Sequence, residues 1–66
     1  MRLTVNGEVR EAADSATIAD LLASLGIEKG RVAVEYNREI APRSQWATIA
    51  LREGDNLEIV QFVGGG

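Results

Sequence analysis

Apolar and polar positions alternate over the first five residues, with Met1, Leu3 and Val5 set against Arg2 and Thr4. A period of two sends neighbouring side chains to opposite faces, so this stretch predicts a half-buried strand. Asn6-Gly7 follows, and both residue types tolerate the positive φ angles of a tight hairpin. Two registers are open. A two-residue turn pairs Val9 with Thr4 and puts it on the polar face, whereas a three-residue loop with Gly7 left-handed pairs Val9 with Leu3 on the core face. The longer loop keeps Val9 in the core and is the expected one, with a second strand over residues 8–12.

The period then changes. Ile18, Leu21, Leu22 and Leu25 fall at i, i+3, i+4 and i+7, one stripe of an amphipathic helix over residues 17–25. Thr17 supplies an N-cap hydroxyl, and Asp20 stands near the positive end of the helix dipole. Gly26 suits a left-handed position just past the last turn, from which Ile27 packs back. Val32, Val34 and Tyr36 restore the period of two as a third strand. Asn37 begins a turn, Ile40 belongs to a short fourth segment, and Pro42 stops pairing there. Residues 44–52 are irregular, with Trp46, Ile49 and Leu51 as core contributors. After the turn cluster Glu53-Gly54-Asp55-Asn56, residues 57–62 form the last strand. Its Leu57 and Ile59 alternate, but Val60 and Phe62 make the other face apolar too. Such a strand is central, or its outer face meets a partner. One amphipathic helix among strands predicts an α+β domain with the helix across a mixed sheet of four to five strands.

Composition narrows the chemistry. Sixty-six residues make one domain at most, too small for a deep cleft with its own substrate pocket. With neither Cys nor His, disulfides, the usual zinc ligands and the usual nucleophile–base pairs are excluded, so no metal site and no catalytic residue is expected. The carboxylates Glu8, Glu11, Glu35 and Glu39 show no acid–base spacing. A formal charge of -3 with scattered basic residues argues against nucleic acid. No apolar run approaches a membrane span or a signal segment, so a cytoplasmic location is expected. The acidic balance suits either a solvated surface, where Lys29 also belongs, or a basic partner.

The chain ends Val63-Gly64-Gly65-Gly66. Glycines bury no side chain and lose the most entropy on ordering, so they contribute nothing to folding. They are either a frayed end or a working tail, and the expected division is a domain of residues 1–63 with a tail of 64–66. Three extended residues reach about 10 Å, enough to thread a narrow channel and place the Gly66 carboxylate in a partner's active site. That carboxylate is ionised and inert at neutral pH. An ATP-using partner could activate it as an acyl-adenylate, and a sulfur nucleophile could then displace AMP to leave a thiocarboxylate.

The run Asn37-Arg38-Glu39-Ile40-Ala41-Pro42-Arg43-Ser44-Gln45-Trp46, the turn Glu53-Gly54-Asp55 before the last strand and the Gly65-Gly66 end together resemble the ThiS family of ubiquitin-like sulfur carriers. Gly64 falls where that family varies. The resemblance implies a β-grasp fold with the last strand parallel beside the first. It also implies thiazole formation in thiamine biosynthesis as the destination of the sulfur, and a carrier that is not itself an enzyme. A ThiF-like enzyme would adenylate Gly66 with ATP and magnesium, a cysteine desulfurase would supply sulfur, and a ThiG-like thiazole synthase would accept it. The chain itself would bind no cofactor. Alternatives are a carrier for molybdopterin or another metabolite, a ubiquitin-like modifier, or a binding module with an idle tail. Gly64 and Gly65 would occupy the partner's channel, and Val60 and Phe62 would offer a docking patch if they face away from the helix. Arg43 either contacts a partner or covers apolar surface with its stem. Trp46 is expected to be a packing anchor.

Overall fold

Leu3 and Val5 are buried on one side of β1 (Arg2–Val5), and the chain returns as β2 (Glu8–Glu11). The computed structural model describes residues 1–27 and 30–62. β2 pairs antiparallel with β1 in the register Thr4 to Val9 and Val5 to Glu8. The loop is therefore the two-residue one, and the expected pairing of Val9 with Leu3 is corrected: Val9 lies on the outer face, 64% exposed. Asn6 and Gly7 both take positive φ, 51° and 82°. That pair of angles matches the right-handed twist of the flanking strands and needs no third residue. The shorter loop also leaves the Asn6 side chain beside the last strand. Its Oδ1 accepts from Ile59 N at 2.7 Å and its Nδ2 donates to Ile59 O at 3.1 Å.

Helix α1 (Ile18–Ser24) buries Ile18, Leu21 and Leu22. Thr17 caps it: its hydroxyl accepts from Asp20 N at 3.1 Å, while the Asp20 carboxylate accepts from Thr17 N at 2.9 Å. The far end closes as expected. Gly26 has φ 76°, Gly26 N donates to Ala23 O, and Ile27 N donates to Leu22 O. β3 (Arg31–Tyr36) and β4 (Glu39–Ile40) form a second hairpin, and β5 (Asn56–Phe62) lies antiparallel to β3 and parallel to β1. The sheet order β2-β1-β5-β3-β4 makes β5 central and is the β-grasp order.

The connection from β4 to β5 is a short 3-10 turn (Arg43–Gln45) and an irregular stretch that laps the start of the helix. Ile18 N donates to Ile49 O, Ala19 N to Trp46 O and Leu51 N to Ala16 O. Helix donors that have no partner within the helix are thus satisfied by this stretch. Trp46 is buried with its indole N–H on Ala41 O at 2.8 Å, and Leu51 is buried with it. Ile49 is half-buried against the same core.

Candidate functional site: the outer sheet face and the last strand

Strand β5 divides its side chains cleanly. Leu57 and Ile59 enter the core, while Val60 and Phe62 stand on the face away from the helix, 51% and 59% exposed. The ladder with β3 shows what surrounds them: Ala33 lies opposite Val60, and Arg31 opposite Phe62. On β3 the next outward position is Glu35, which pairs with Ile40 of β4 on one side and Glu58 on the other. Ile40 is 69% exposed. Ala33, Val60 and Phe62 thus adjoin on the outer sheet surface, and the Glu35–Glu58 rung stands between them and Ile40. Ala33 escapes a sequence reading, because only the pairing register brings it beside β5.

Arg43 belongs elsewhere. Its guanidinium lies 5.1 Å from the centre of the Trp46 ring and donates to Gly30 O at 2.6 Å. Trp46 borders a groove with Ala19, Leu22 and Ala23 of the helix, so Arg43 sits in the helix layer and not with Val60 and Phe62. Its contacts fit the reading in which it covers apolar surface. Gly64, Gly65 and Gly66, with Val63 and Lys29, lie outside the described residues. β5 is laddered to β3 as far as Phe62, which stands toward the end of the sheet where the Asn6–Gly7 turn lies.

The opposite end of β5 is tied by side chains. Asp55 accepts from the Tyr36 hydroxyl at 2.6 Å, from Arg52 N at 2.8 Å and from Asn37 Nδ2 at 3.2 Å. Asn37 Oδ1 accepts from Asn56 N at 2.9 Å. The two stretches most characteristic in the sequence, beginning at Asn37 and at Glu53, therefore meet in space. Partial burial works against the Asp55 charge, but the donors, led by the Tyr36 hydroxyl, hold its carboxyl below the usual range. The same hydrogen bond, with burial and the Asp55 charge, raises Tyr36. About 20 Å of strand separates this network from Phe62, and it clamps the first end of β5 to the β3–β4 hairpin. Among the described residues, no helix is long and apolar enough to cross a membrane.

The ThiS family model matches residues 3–66. A thiazole synthase of Paramagnetospirillum magneticum is 50% identical over the whole chain. The chain spans about one fifth of the length of the thiazole synthases it matches. The sulfur carrier protein ThiS of Bacillus subtilis is 45% identical over 97% of this chain and 98% of its own. A crystal structure of the thiamine biosynthesis protein ThiS from Geobacter metallireducens superposes with a TM-score of 0.83, at 35% identity and with both chains fully covered. Sequence over nearly every residue and fold over the whole length point the same way: the chain belongs to the ThiS family.

Proposed function

We propose that this chain is a sulfur carrier for thiamine biosynthesis, loaded at the Gly66 carboxylate and without catalytic residues of its own. The observation that carries the reading is similarity over almost the full length of a protein named as a sulfur carrier. Its similarity to one fifth of thiazole synthases supports a thiazole synthase as the acceptor of the sulfur. The carboxylate attacks the α-phosphorus of ATP with release of pyrophosphate, on a ThiF-like enzyme that holds the ATP and magnesium. The persulfide that a desulfurase draws from cysteine then attacks through its outer sulfur and displaces AMP, and a thiol cleaves the resulting acyl disulfide, which releases the thiocarboxylate and leaves a disulfide between that thiol and the persulfide's inner sulfur. Gly64 and Gly65 thread the enzyme's channel, Val60 and Phe62 dock against its surface, and the work takes place in the cytoplasm.

Intact-mass measurement tests the scheme. With ATP, magnesium and a ThiF-like enzyme the chain gains an AMP adduct, and a sulfur source converts this to the mass of sulfur in place of one oxygen. A chain that stays unmodified while the same enzyme loads Bacillus subtilis ThiS overturns it.

A further inference from the structure

Strand β2 is an open edge of the sheet, with β1 on one side only. The hairpin register decides which of its backbone groups are already bonded. Ala12 N donates to Met1 O at 2.8 Å, and the two-residue turn closes on the Val5–Glu8 pair. Antiparallel pairs alternate between bonded and non-bonded. Leu3–Arg10 is therefore a bonded pair, while Val9 and Glu11 turn their N–H and C=O groups outward. Edges of this kind are usually blunted by a Pro, a bulge or a Lys. β2 has none of these: its register is unbroken from Glu8 to Glu11, and the Val9 side chain is exposed. β4, at the other edge, has only Glu39 and Ile40.

The charges on β2 select what pairs with it. Glu8 and Arg10 stand opposite Val5 and Leu3, on the helix side of the sheet, 3.7 Å from each other. A groove lined by Glu8, Arg10, Leu25 and Ile27 lies between them and the end of the helix, so the helix does not crowd that face. A second β2 laid antiparallel along this edge has three symmetric registers that use the outward groups of Val9 and Glu11. Pairing Glu11 with Glu11 opposes like charges. Pairing Val9 with Glu11 sets Arg10 against Arg10 at the close spacing of a non-bonded pair. Pairing Val9 with Val9 sets Glu8 against Arg10 and Arg10 against Glu8, and it joins two exposed valines on the outer face. We propose that the chain pairs with a second copy of itself through β2, antiparallel and centred on Val9. Charges that deter other strands thus fit a copy running the opposite way. Edges of four residues cover little beside the roughly 1,200 Å² of a stable complex, so the pairing is reversible and grows with concentration. β5 lies two strands in from this edge, so Val60 and Phe62 stay uncovered.

Sedimentation equilibrium of the full chain tests this, with amide hydrogen exchange at Val9 and Glu11 as the local readout. At about 0.15 M salt the Debye length of about 8 Å screens the repulsion between two copies but not the facing side chains. As concentration rises to about 1 mM, the mean mass climbs toward that of two chains and both amides gain protection. A mass that stays at one chain throughout overturns the proposal. Glu8→Arg or Arg10→Glu alone turns both facing pairs into like charges and weakens self-association about tenfold. E8R does so although it lowers the net charge and with it the long-range repulsion. Mixed in equal parts, the two variants have Arg facing Glu at both positions and associate at least as tightly as the parent. Thermal melts report the fold of each variant. The double variant E8R/R10E restores pairing with itself, and it decides the outcome if a single variant melts early. Single variants that associate like the parent, or a mixture and a double variant that stay weak, overturn the pairing through β2. Protection of Val9 and Glu11 that appears only on adding a ThiF-like enzyme or a thiazole synthase overturns the second copy as the occupant.

Discussion

Asp55 holds three donors from three places in the chain: the side chains of Tyr36 and Asn37 and the backbone of Arg52. Asp55→Ala leaves all three without their acceptor, and a loss of about 1–2 kcal/mol in urea unfolding is expected. The pH dependence has a definite sign. A carboxyl held below its ordinary pKa stabilises the fold above that ordinary value, and the contribution fades as pH falls through the folded value. Tyr36, raised above 10.0, acts in reverse: its contribution is complete below pH 10.0 and fades as pH rises through the folded value. Unfolding curves of the parent and Asp55→Ala should therefore converge in strong acid. At this scale Asn37 and Asp55 were legible as turn formers, because their short side chains bond local backbone. Their partnership was not, since it depends on the register that brings residues 18 positions apart to one end of the sheet.

Among the elements, α1 was the most legible, for its stripe, cap and terminal glycine all agree locally. Thr17→Ala removes the capping hydroxyl and is expected to lower stability by about 1 kcal/mol, read as a lower thermal midpoint. The first hairpin was read in the wrong register for a physical reason. Burial of Val9 and the geometry of the Asn6–Gly7 turn favour different pairings, and the turn prevails with help from the Asn6 tether to Ile59. That tether spans 53 positions, so nothing near the turn announces it. The second hairpin shows the same preference for a short turn: Asn37 and Arg38 take φ of 50° and 73°. Arg38 adopts an angle that glycine would hold with less strain.

Across the whole molecule, β5 runs from the network around Asp55 at one end to Phe62 at the other. The fold class was readable in advance, the helix on a sheet from periodicity and the β-grasp strand order from the family resemblance. The outer apolar face was only half readable, because Val60 and Phe62 show in the strand pattern while Ala33 joins them through pairing alone. Deleting Gly65 and Gly66 is expected to leave the thermal midpoint unchanged and to abolish AMP adduct formation in the mass assay. An unaltered adduct yield would identify the tail as idle.

The central place of β5 also decides how the molecule bears load. An enzyme of the kind proposed would pull on the chain beyond Phe62, along the axis of a strand flanked by β1 in parallel and β3 in antiparallel. Force along the strand loads the hydrogen bonds on both of its sides together, where a pull across the strands would unzip them singly. A strand so placed would let the fold hold its shape while a partner draws on the chain that follows it.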